Sequence, residues 1–183
     1  SEMCIRDRAR IVMEETPHVL IVADGADEMA RSRGLPPLEL VNRGLEGDTV
    51  GALALDDSGK LASAVSTGGI RGKMPGRVGD TPIPGAGFWV SRLVASCATG
   101  YGEAIIMAQP CRMISLLHED RGLPLREAVV KACELVNGPC GLIALTVNGE
   151  AVAYTTADVM PIAVARDGTI EVCTVKRGEV KTV

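Results

Sequence analysis

The order of helix-like and strand-like segments constrains the fold of this chain more than any other feature of its sequence. Two segments with helical periodicity, 103–117 and 125–136, lie between two sets of apolar, strand-like runs. The predicted strands are 50–55, 61–66 and 94–99 before the helices, and 142–147, 152–156, 162–165 and 170–175 after them. Helices grouped between two sets of strands predict an α+β fold in which helices and sheets pack as layers.

Turn residues predict how neighbouring strands connect. Residues 57–60, Asp-Ser-Gly-Lys, separate the first two strands, and residues 147–150, Val-Asn-Gly-Glu, separate two later ones. Both patterns predict β-hairpins. The apolar and polar residues of the first hairpin alternate imperfectly, which is typical of strands buried on both faces.

The two helical segments supply a predicted core surface. We predict 103–117 as one helix although it contains Pro110. One apolar stripe faces the interior and consists of Ile106, Met113, Leu117, Val129, Cys133 and Val136.

The residues before the first hairpin predict a helix over 8–15 that ends before Pro17, because the residue preceding a proline avoids helical angles. A short apolar strand is predicted over 19–23. A second helix over 25–33 ends at Gly34, a common C-cap residue. We expect 35–47, which contains two prolines, to be an exposed linker.

Composition excludes several functional classes. The chain has 183 residues, 46% of them hydrophobic, which is enough for one domain with a proper core. A net charge of −4, four aromatic side chains and no basic block argue against nucleic-acid binding. No apolar run approaches the roughly twenty residues that cross a bilayer. We therefore expect a soluble, cytoplasmic protein that binds neither nucleic acid nor membranes.

Cysteine usage argues against a metal or cofactor site. The six cysteines are scattered without a C-x-x-C pair and without a histidine at ligand spacing, and the two histidines, His18 and His118, are distant from Cys97 in sequence. Reduced and mostly buried thiols in a reducing compartment are expected. Cys97 lies two residues before Thr99, but a Cys–His catalytic pair has little support. We expect no metal and no cofactor.

The Asp48–Thr49 step offers a candidate nucleophile at the start of a strand. A threonine hydroxyl is a weak nucleophile without a base, and cleavage of this peptide bond would free an α-amine that could act as that base. A threonine at the start of a strand is common without any catalytic role. The pattern therefore gains weight only from residues further along the chain.

A long glycine- and proline-rich stretch, 67–87, has no helical or strand period, and loops of this length are usually functional. It contains Thr67, Arg77 and Asp80. The rigid fork of an arginine suits a carboxylate, and a carboxylate suits an ammonium group, so the last two residues fit an amino-acid-like substrate.

Thr99 and Gly100 end the strand 94–99 and offer a hydroxyl and an unobstructed backbone N–H to a developing oxyanion. Each position also has an ordinary structural interpretation. Arg77 and Asp80 suit a surface ion pair, and Thr67 and the Thr99–Gly100 step suit plain turns.

The ordered set resembles the plant-type L-asparaginase and isoaspartyl peptidase family of N-terminal-threonine hydrolases, which also includes glycosylasparaginase. The resemblance covers about 8–170 and rests on four segments: Asp48-Thr49-Val50-Gly51, Val65-Ser66-Thr67-Gly68-Gly69, the run 73–87 and Cys97-Ala98-Thr99-Gly100-Tyr101-Gly102-Glu103. It implies a four-layer αββα sandwich.

The resemblance also implies residue roles. Thr49 is the nucleophile released by self-cleavage after Asp48, and Thr67 orients its hydroxyl. Arg77 anchors the substrate α-carboxylate and Asp80 its α-ammonium. Thr99 and Gly100 form the oxyanion hole and contact the substrate.

The implied activity is hydrolysis of the side-chain amide of L-asparagine and of β-aspartyl dipeptides through an acyl-enzyme on Thr49. Two alternatives remain open. One is a glycosylasparaginase that cleaves the GlcNAc–Asn bond, favoured by an Asp before the threonine. The other is a catalytically inactive fragment or binding domain with the same fold.

The resemblance implies three segments. Residues 1–7 match nothing in the family and are expected to be a non-native remnant. Residues 8–48 correspond to the end of the α-subunit with its linker, and 49–183 to the β-subunit, together one domain. Because the first part of the α-subunit is missing, we expect this chain alone to expose a sheet edge and to be poorly soluble or inactive. The complete protein is expected to be a dimer of cleaved αβ units.

One departure from the family pattern lies after the long loop. Phe88 and Trp89 replace a Tyr-Ala-Asp stretch. They either line the leaving-group side of the pocket or pack against the sheet.

Overall fold

The computed structural model describes residues 10–18, 21–35 and 49–182. The chain divides into two compact units, Ser1–Leu45 and Glu46–Val183, and each is considered by itself. The expected boundaries after residues 7 and 48 lie outside the described residues. The division into a non-native remnant, an α-subunit part and a β-subunit therefore stays a prediction. The expected linker at 35–47 lies outside them as well, except for Leu35.

The described residues of the first unit form two helices. Residues 10–15 form α1, the described part of the helix predicted over 8–15. The second helix, α2 (Ala23–Ser32), begins two residues earlier than predicted. Its C-terminus is closed by Gly34 at φ 69°, and the N–H of Leu35 donates to the Ala30 carbonyl over 3.0 Å. This is the predicted glycine cap.

The strand predicted over 19–23 is wrong where it can be examined. Residues 21 and 22 are irregular, and Ala23 already belongs to α2. Asp24 in the first turn favours the helix start because its negative charge complements the helix dipole. Residues 19 and 20 lie outside the described part of the chain.

The second unit carries the strands and the remaining helices. In chain order its elements are β1 (Thr49–Leu55), β2 (Leu61–Thr67), β3 (Phe88–Val90), β4 (Val94–Gly100), α3 (Gly102–Ala108), α4 (Pro110–Ser115), a π-helical turn (Leu116–Asp120), α5 (Leu125–Glu134), β5 (Cys140–Thr146), β6 (Ala151–Thr155), β7 (Val159–Arg166), β8 (Thr169–Lys176) and β9 (Val180–Thr182). All seven predicted strands of this unit are present.

The strands form three antiparallel sheets among the described residues. A five-stranded sheet has the order β3-β4-β5-β6-β9, and β1-β2 and β7-β8 are two-stranded. The sequence pattern did not predict β3 and β9, which have three residues each and pair at the two edges of the larger sheet.

Both predicted hairpin turns are confirmed. In the β1–β2 turn, Asp56 Oδ1 accepts the N–H groups of Ser58 and Lys60 over 2.8 and 2.9 Å, and Gly59 takes φ 79°. The prediction that these two strands are buried on both faces is wrong in the described structure. Two alternate residues of β2, Ala62 and Ala64, are exposed, and the residue Val50 of β1 is 53% exposed.

The helix predicted over 103–117 is broken in two. Gln109 adopts the left-handed conformation, φ 51° and ψ 50°, between α3 and α4. The ring of Pro110 disfavours helical angles at the preceding residue and leaves no N–H for the helical ladder, yet it suits the first position of a new helix. The apolar periodicity continues across the break, which is why the pattern indicated one helix.

The main core lies between the helices and one face of the five-stranded sheet. The predicted stripe is confirmed, since its six residues belong to this core or pack against it. In β4, Val94 and Ala98 face this core, whereas Cys97 faces β1 on the other side. In β5, Leu142 faces the main core and Ile143 packs with Met160 of β7.

Both two-stranded sheets therefore lie on the face of the larger sheet opposite the helices. A mixed α/β class with antiparallel sheets is confirmed, and the four-layer arrangement stays a prediction. Among the described residues, no helix combines the length and apolar character needed to cross a membrane.

Candidate active site

A cavity of about 320 Å³ in the second unit brings the predicted site residues together. Six of the seven line it: Thr49, Thr67, Arg77, Asp80, Thr99 and Gly100. The seventh, Asp48, lies outside the described residues. The six come from β1, β2, the long loop and β4, so folding assembles groups that are up to 51 positions apart, from 49 to 100.

The register of the first hairpin places two hydroxyls in contact. Thr49, the first residue of β1, pairs with Thr67, the last residue of β2. Their Oγ1 atoms are 3.0 Å apart. The N–H of Gly69 donates to Thr67 Oγ1 over 3.0 Å. The Thr67 hydroxyl is therefore held in place by the backbone of the following turn while it contacts Thr49.

Arg77 is held by a carboxylate that sequence analysis did not single out. Its Nε and Nη2 donate to Glu103 Oε1 and Oε2, both over 2.8 Å. This hydrogen-bonded pairing raises the pKa of Arg77 and lowers that of Glu103. The available signal was an acidic residue at the start of a helix that directly follows the Thr99–Gly100 step.

Asp80 is buried, and only 6% of its surface is exposed. Its Oδ2 atom has no hydrogen-bond partner among the described residues. Burial raises the pKa of this carboxyl, although nearby Arg77 acts in the opposite direction. The interpretation of Arg77 and Asp80 as an exposed surface ion pair does not fit, since Arg77 pairs with Glu103 and Asp80 is inside the protein.

Gly100 occupies a position that excludes a side chain. Its φ is 140°, and a Cβ atom there would lie 2.1 Å from the carbonyl oxygen of Pro139 and 2.9 Å from Cα of Cys140. The chain before β5 therefore approaches the end of β4 closely. Glycine is required here by backbone contact, and Thr99 and Gly100 are consequently fixed at the wall of the cavity.

The far wall of the cavity comes from residues that sequence analysis did not find. Thr155 at the end of β6 and Met160 of β7 line it. A Cβ atom at Gly141 would lie 2.5 Å from Met160 Sδ and 3.2 Å from Thr99 Cγ2. These contacts join three strands that are distant in sequence, and no local pattern predicts them.

Trp89 does not line the cavity. It packs against the main core, and the guanidinium of Arg112 lies 4.7 Å from its ring centre. Phe88 is also absent from the cavity wall. The structure therefore favours packing for Trp89, while Phe88 is half-buried in β3, where it pairs with Cys97.

The cysteines behave as predicted wherever they are described. Five are free, and all but Cys173 are buried. Burial raises the pKa of the Cys97 thiol to about 12, so this thiol stays protonated at neutral pH and is a poor nucleophile. His18 is exposed, and His118 lies in the π-helical turn, where its Nδ1 is 2.8 Å from the Leu123 carbonyl oxygen.

Comparison with known proteins identifies the family of this chain. Residues 37–175 match the family model described as asparaginase. The chain belongs to the asparaginase family. The resemblance found in the sequence is thereby confirmed.

Several curated relatives of the family are similar to this chain. It is 40% identical to the plant-type L-asparaginase of Pyrobaculum calidifontis, over 81% of this chain and 60% of that protein. It is 37% identical to the isoaspartyl peptidase/L-asparaginase of Bos taurus, over 87% of this chain and 61% of that protein. It is 36% identical to the N(4)-(β-N-acetylglucosaminyl)-L-asparaginase of Elizabethkingia miricola, over 85% of this chain and 55% of that protein. The chain thus spans about 55–61% of the length of these relatives.

Proposed function

We propose that the complete protein is an amidohydrolase that acts on the side-chain amide of L-asparagine and on β-aspartyl dipeptides. One observation carries this proposal. A single cavity combines a threonine hydroxyl pair with a buried carboxylate whose Oδ2 has no partner among the described residues, and an arginine lies beside that carboxylate. This is the set of groups that hydrolysis of an amino-acid amide requires.

The substrate is held by its charged groups. Arg77 binds the α-carboxylate, and Asp80 binds the α-ammonium. Asp80 Oδ2 has no hydrogen-bond partner among the described residues, so the ammonium would give it a charged donor, and hydrogen bonds between charged groups are the strong ones. Binding at both points fixes the side-chain amide relative to Thr49.

Catalysis begins with maturation. Self-cleavage between Asp48 and Thr49 frees the α-amine of Thr49. This amine takes the proton of the Thr49 hydroxyl as the oxygen attacks the amide carbon, and Thr67 orients that hydroxyl. The negative charge on the carbonyl oxygen is stabilised by the Thr99 hydroxyl and the Gly100 N–H, each worth roughly a hundredfold or more in rate.

The intermediate then collapses. The C–N bond breaks, the amine leaves with the proton from the α-amine, and an ester links the β-carboxyl carbon to Thr49 Oγ1. Water attacks the ester by the same route and releases aspartate. The proposal requires neither a metal nor a cofactor, and it includes assembly of the cleaved subunits into a dimer of αβ units.

A second candidate is the glycosylasparaginase reaction. The relative from Elizabethkingia miricola carries that name, and Asp48 precedes the threonine as in that branch. The same anchors hold the aspartyl half of both substrates. Parallel assays with L-asparagine, a β-aspartyl dipeptide and GlcNAc–Asn separate the two activities.

The test uses the full-length protein and intact mass spectrometry. A fragment that begins at Thr49 should appear during incubation, together with ammonia release from L-asparagine. Thr49→Ala should abolish both. Thr174→Ala, an exposed threonine of β8 outside the cavity, is the matched control and should change neither. A wild-type chain that stays whole and releases no amine from any of the three substrates contradicts the proposal.

A further inference from the structure

Glu103 occupies one specific edge of the Arg77 guanidinium. A guanidinium is planar and offers two edges that can donate a parallel pair of hydrogen bonds: the Nε–Nη2 edge and the Nη1–Nη2 edge. Glu103 accepts from Nε and Nη2, both over 2.8 Å. The Nε–Nη2 edge is therefore taken by the protein itself.

Two glycines leave room for the same guanidinium on other sides. A Cβ atom at Gly79 would lie 2.8 Å from Arg77 Nη1, and one at Gly102 would lie 2.8 Å from Nη2 and 2.9 Å from Asp80 Oδ1. These distances are shorter than ordinary van der Waals contacts, so a side chain at either glycine would displace the Arg77 guanidinium. The Arg77 side chain is only 15% exposed. It is enclosed as well as paired.

The chain also connects Glu103 to the oxyanion-hole candidates. Thr99 and Gly100 end β4, and Glu103 is the second residue of α3, which begins at Gly102. One short segment thus carries the groups proposed to stabilise the reacting carbonyl and the group that holds the carboxylate anchor.

We propose that Glu103 is a positioning residue: by occupying the Nε–Nη2 edge of Arg77, it leaves the Nη1–Nη2 edge as the face that receives the substrate α-carboxylate. This inference rests on the proposed function. It predicts that Glu103 contributes to recognition of the α-carboxylate through Arg77 without touching the substrate.

A competing electrostatic role has the opposite sign. Glu103 partly neutralises Arg77, and if charge were all that mattered, removing it would strengthen the attraction for a carboxylate. If geometry matters, removing it frees the guanidinium to rotate and weakens bidentate binding. The direction of the change in substrate affinity therefore distinguishes the two.

The experiment compares Glu103→Gln and Glu103→Asp with wild type in the full-length protein. The substrates are L-asparagine and 3-aminopropanamide, which is asparagine without its α-carboxylate. For L-asparagine, we expect KM to rise about tenfold or more in both variants, while kcat changes less than about threefold. Kinetics with 3-aminopropanamide should not change. Glu103→Asp keeps the negative charge but shortens the side chain. A rise in KM for L-asparagine in this variant therefore identifies geometry, and not charge, as the cause.

Glu127→Gln, an exposed glutamate of α5 outside the cavity, controls for loss of a negative charge. If the Glu103 variants lost the same fraction of kcat/KM with L-asparagine and with 3-aminopropanamide, Glu103 would have only a structural role, and the inference would be overturned. An unchanged or lower KM for L-asparagine would overturn it as well. Because the Glu103 side chain is 45% exposed, we expect both Glu103 variants to fold, and urea unfolding checks this.

Calorimetric binding of L-aspartate separates this inference from the proposed function. If wild type turns over neither substrate, the proposed activity fails, yet a tenfold loss of L-aspartate affinity in Glu103→Gln would still support the positioning role. Equal affinity of wild type and variant, or no binding to either, would reject it.

Discussion

Asp80→Asn should stabilise the empty protein while it weakens substrate binding. Asp80 is 6% exposed, and its Oδ2 has no partner among the described residues. An unsatisfied buried group costs about 1–3 kcal/mol, and more when it is charged. Arg77 offsets part of this cost, and the amide of the variant also lacks a partner. We therefore expect a net gain of about 1 kcal/mol in the free energy of unfolding at neutral pH.

The pH dependence follows from the direction of the pKa shift. Burial raises the pKa of Asp80 in the folded protein above its value in the unfolded chain. The ionised carboxylate therefore destabilises the fold, fully above the folded pKa and not at all below the unfolded one. The advantage of Asp80→Asn should shrink as pH falls through the folded pKa and disappear at pH values below the ordinary aspartate range.

Urea unfolding at neutral and acidic pH measures this difference. Asp120→Asn, an exposed aspartate, is the matched control and should change stability by less than about 0.5 kcal/mol. In parallel, the affinity for L-aspartate should fall about tenfold to a hundredfold, because a hydrogen bond between charged groups is lost. An Asp80→Asn protein that is less stable than wild type at neutral pH would refute the reasoning, since it would mean that the carboxylate is satisfied in the empty cavity.

Two further predictions concern the framework of the cavity. Gly100→Ala should lower the free energy of unfolding by about 2 kcal/mol or more, because φ is 140° and the added Cβ would lie 2.1 Å from a backbone oxygen. The control is Gly59→Ala, where φ is 79° and no atom lies within 4 Å of the added Cβ. This control variant should lose only about 1 kcal/mol. If urea unfolding gave the same loss of stability for both variants, the close contact between Gly100 and Pro139 would not determine the effect. Leu142→Ala should cost about 2–5 kcal/mol because Leu142 is fully buried in the main core, whereas Leu135→Ala, at 57% exposure, should cost far less. If Leu142→Ala and Leu135→Ala lost similar amounts of stability in urea unfolding, Leu142 would not belong to the main core.

Local sequence signals predicted the parts of the site that depend on local pairing. The Asp-Ser-Gly-Lys turn predicted the first hairpin, and that hairpin places Thr49 opposite Thr67. The long loop lacks helix and strand apart from Thr67, which ends β2, as its glycines and prolines indicate. Turn chemistry acts between residues that are close in sequence, so such features are readable without the fold.

Periodicity misled where two local signals competed. The apolar stripe across 103–117 favoured one helix, while Pro110 favoured a break. The break prevailed at Gln109, yet both halves still pack on the core. A stripe reports which residues are buried, and it does not require one continuous helix. In the same way, the apolar run before α2 was interpreted as a strand although no described partner strand lies beside it.

The amino-acid sequence alone determined the mixed class of the fold, the hairpins, the asparaginase family and the identity of six residues that line the cavity. Only the tertiary structure revealed that Asp80 is buried with an oxygen that has no partner in the described part of the chain, that Gly100 admits no side chain beside Pro139, and that Glu103 holds Arg77. These properties depend on which distant segments meet. Burial and the contacts between such segments arise from packing, and no pattern within a single segment encodes them.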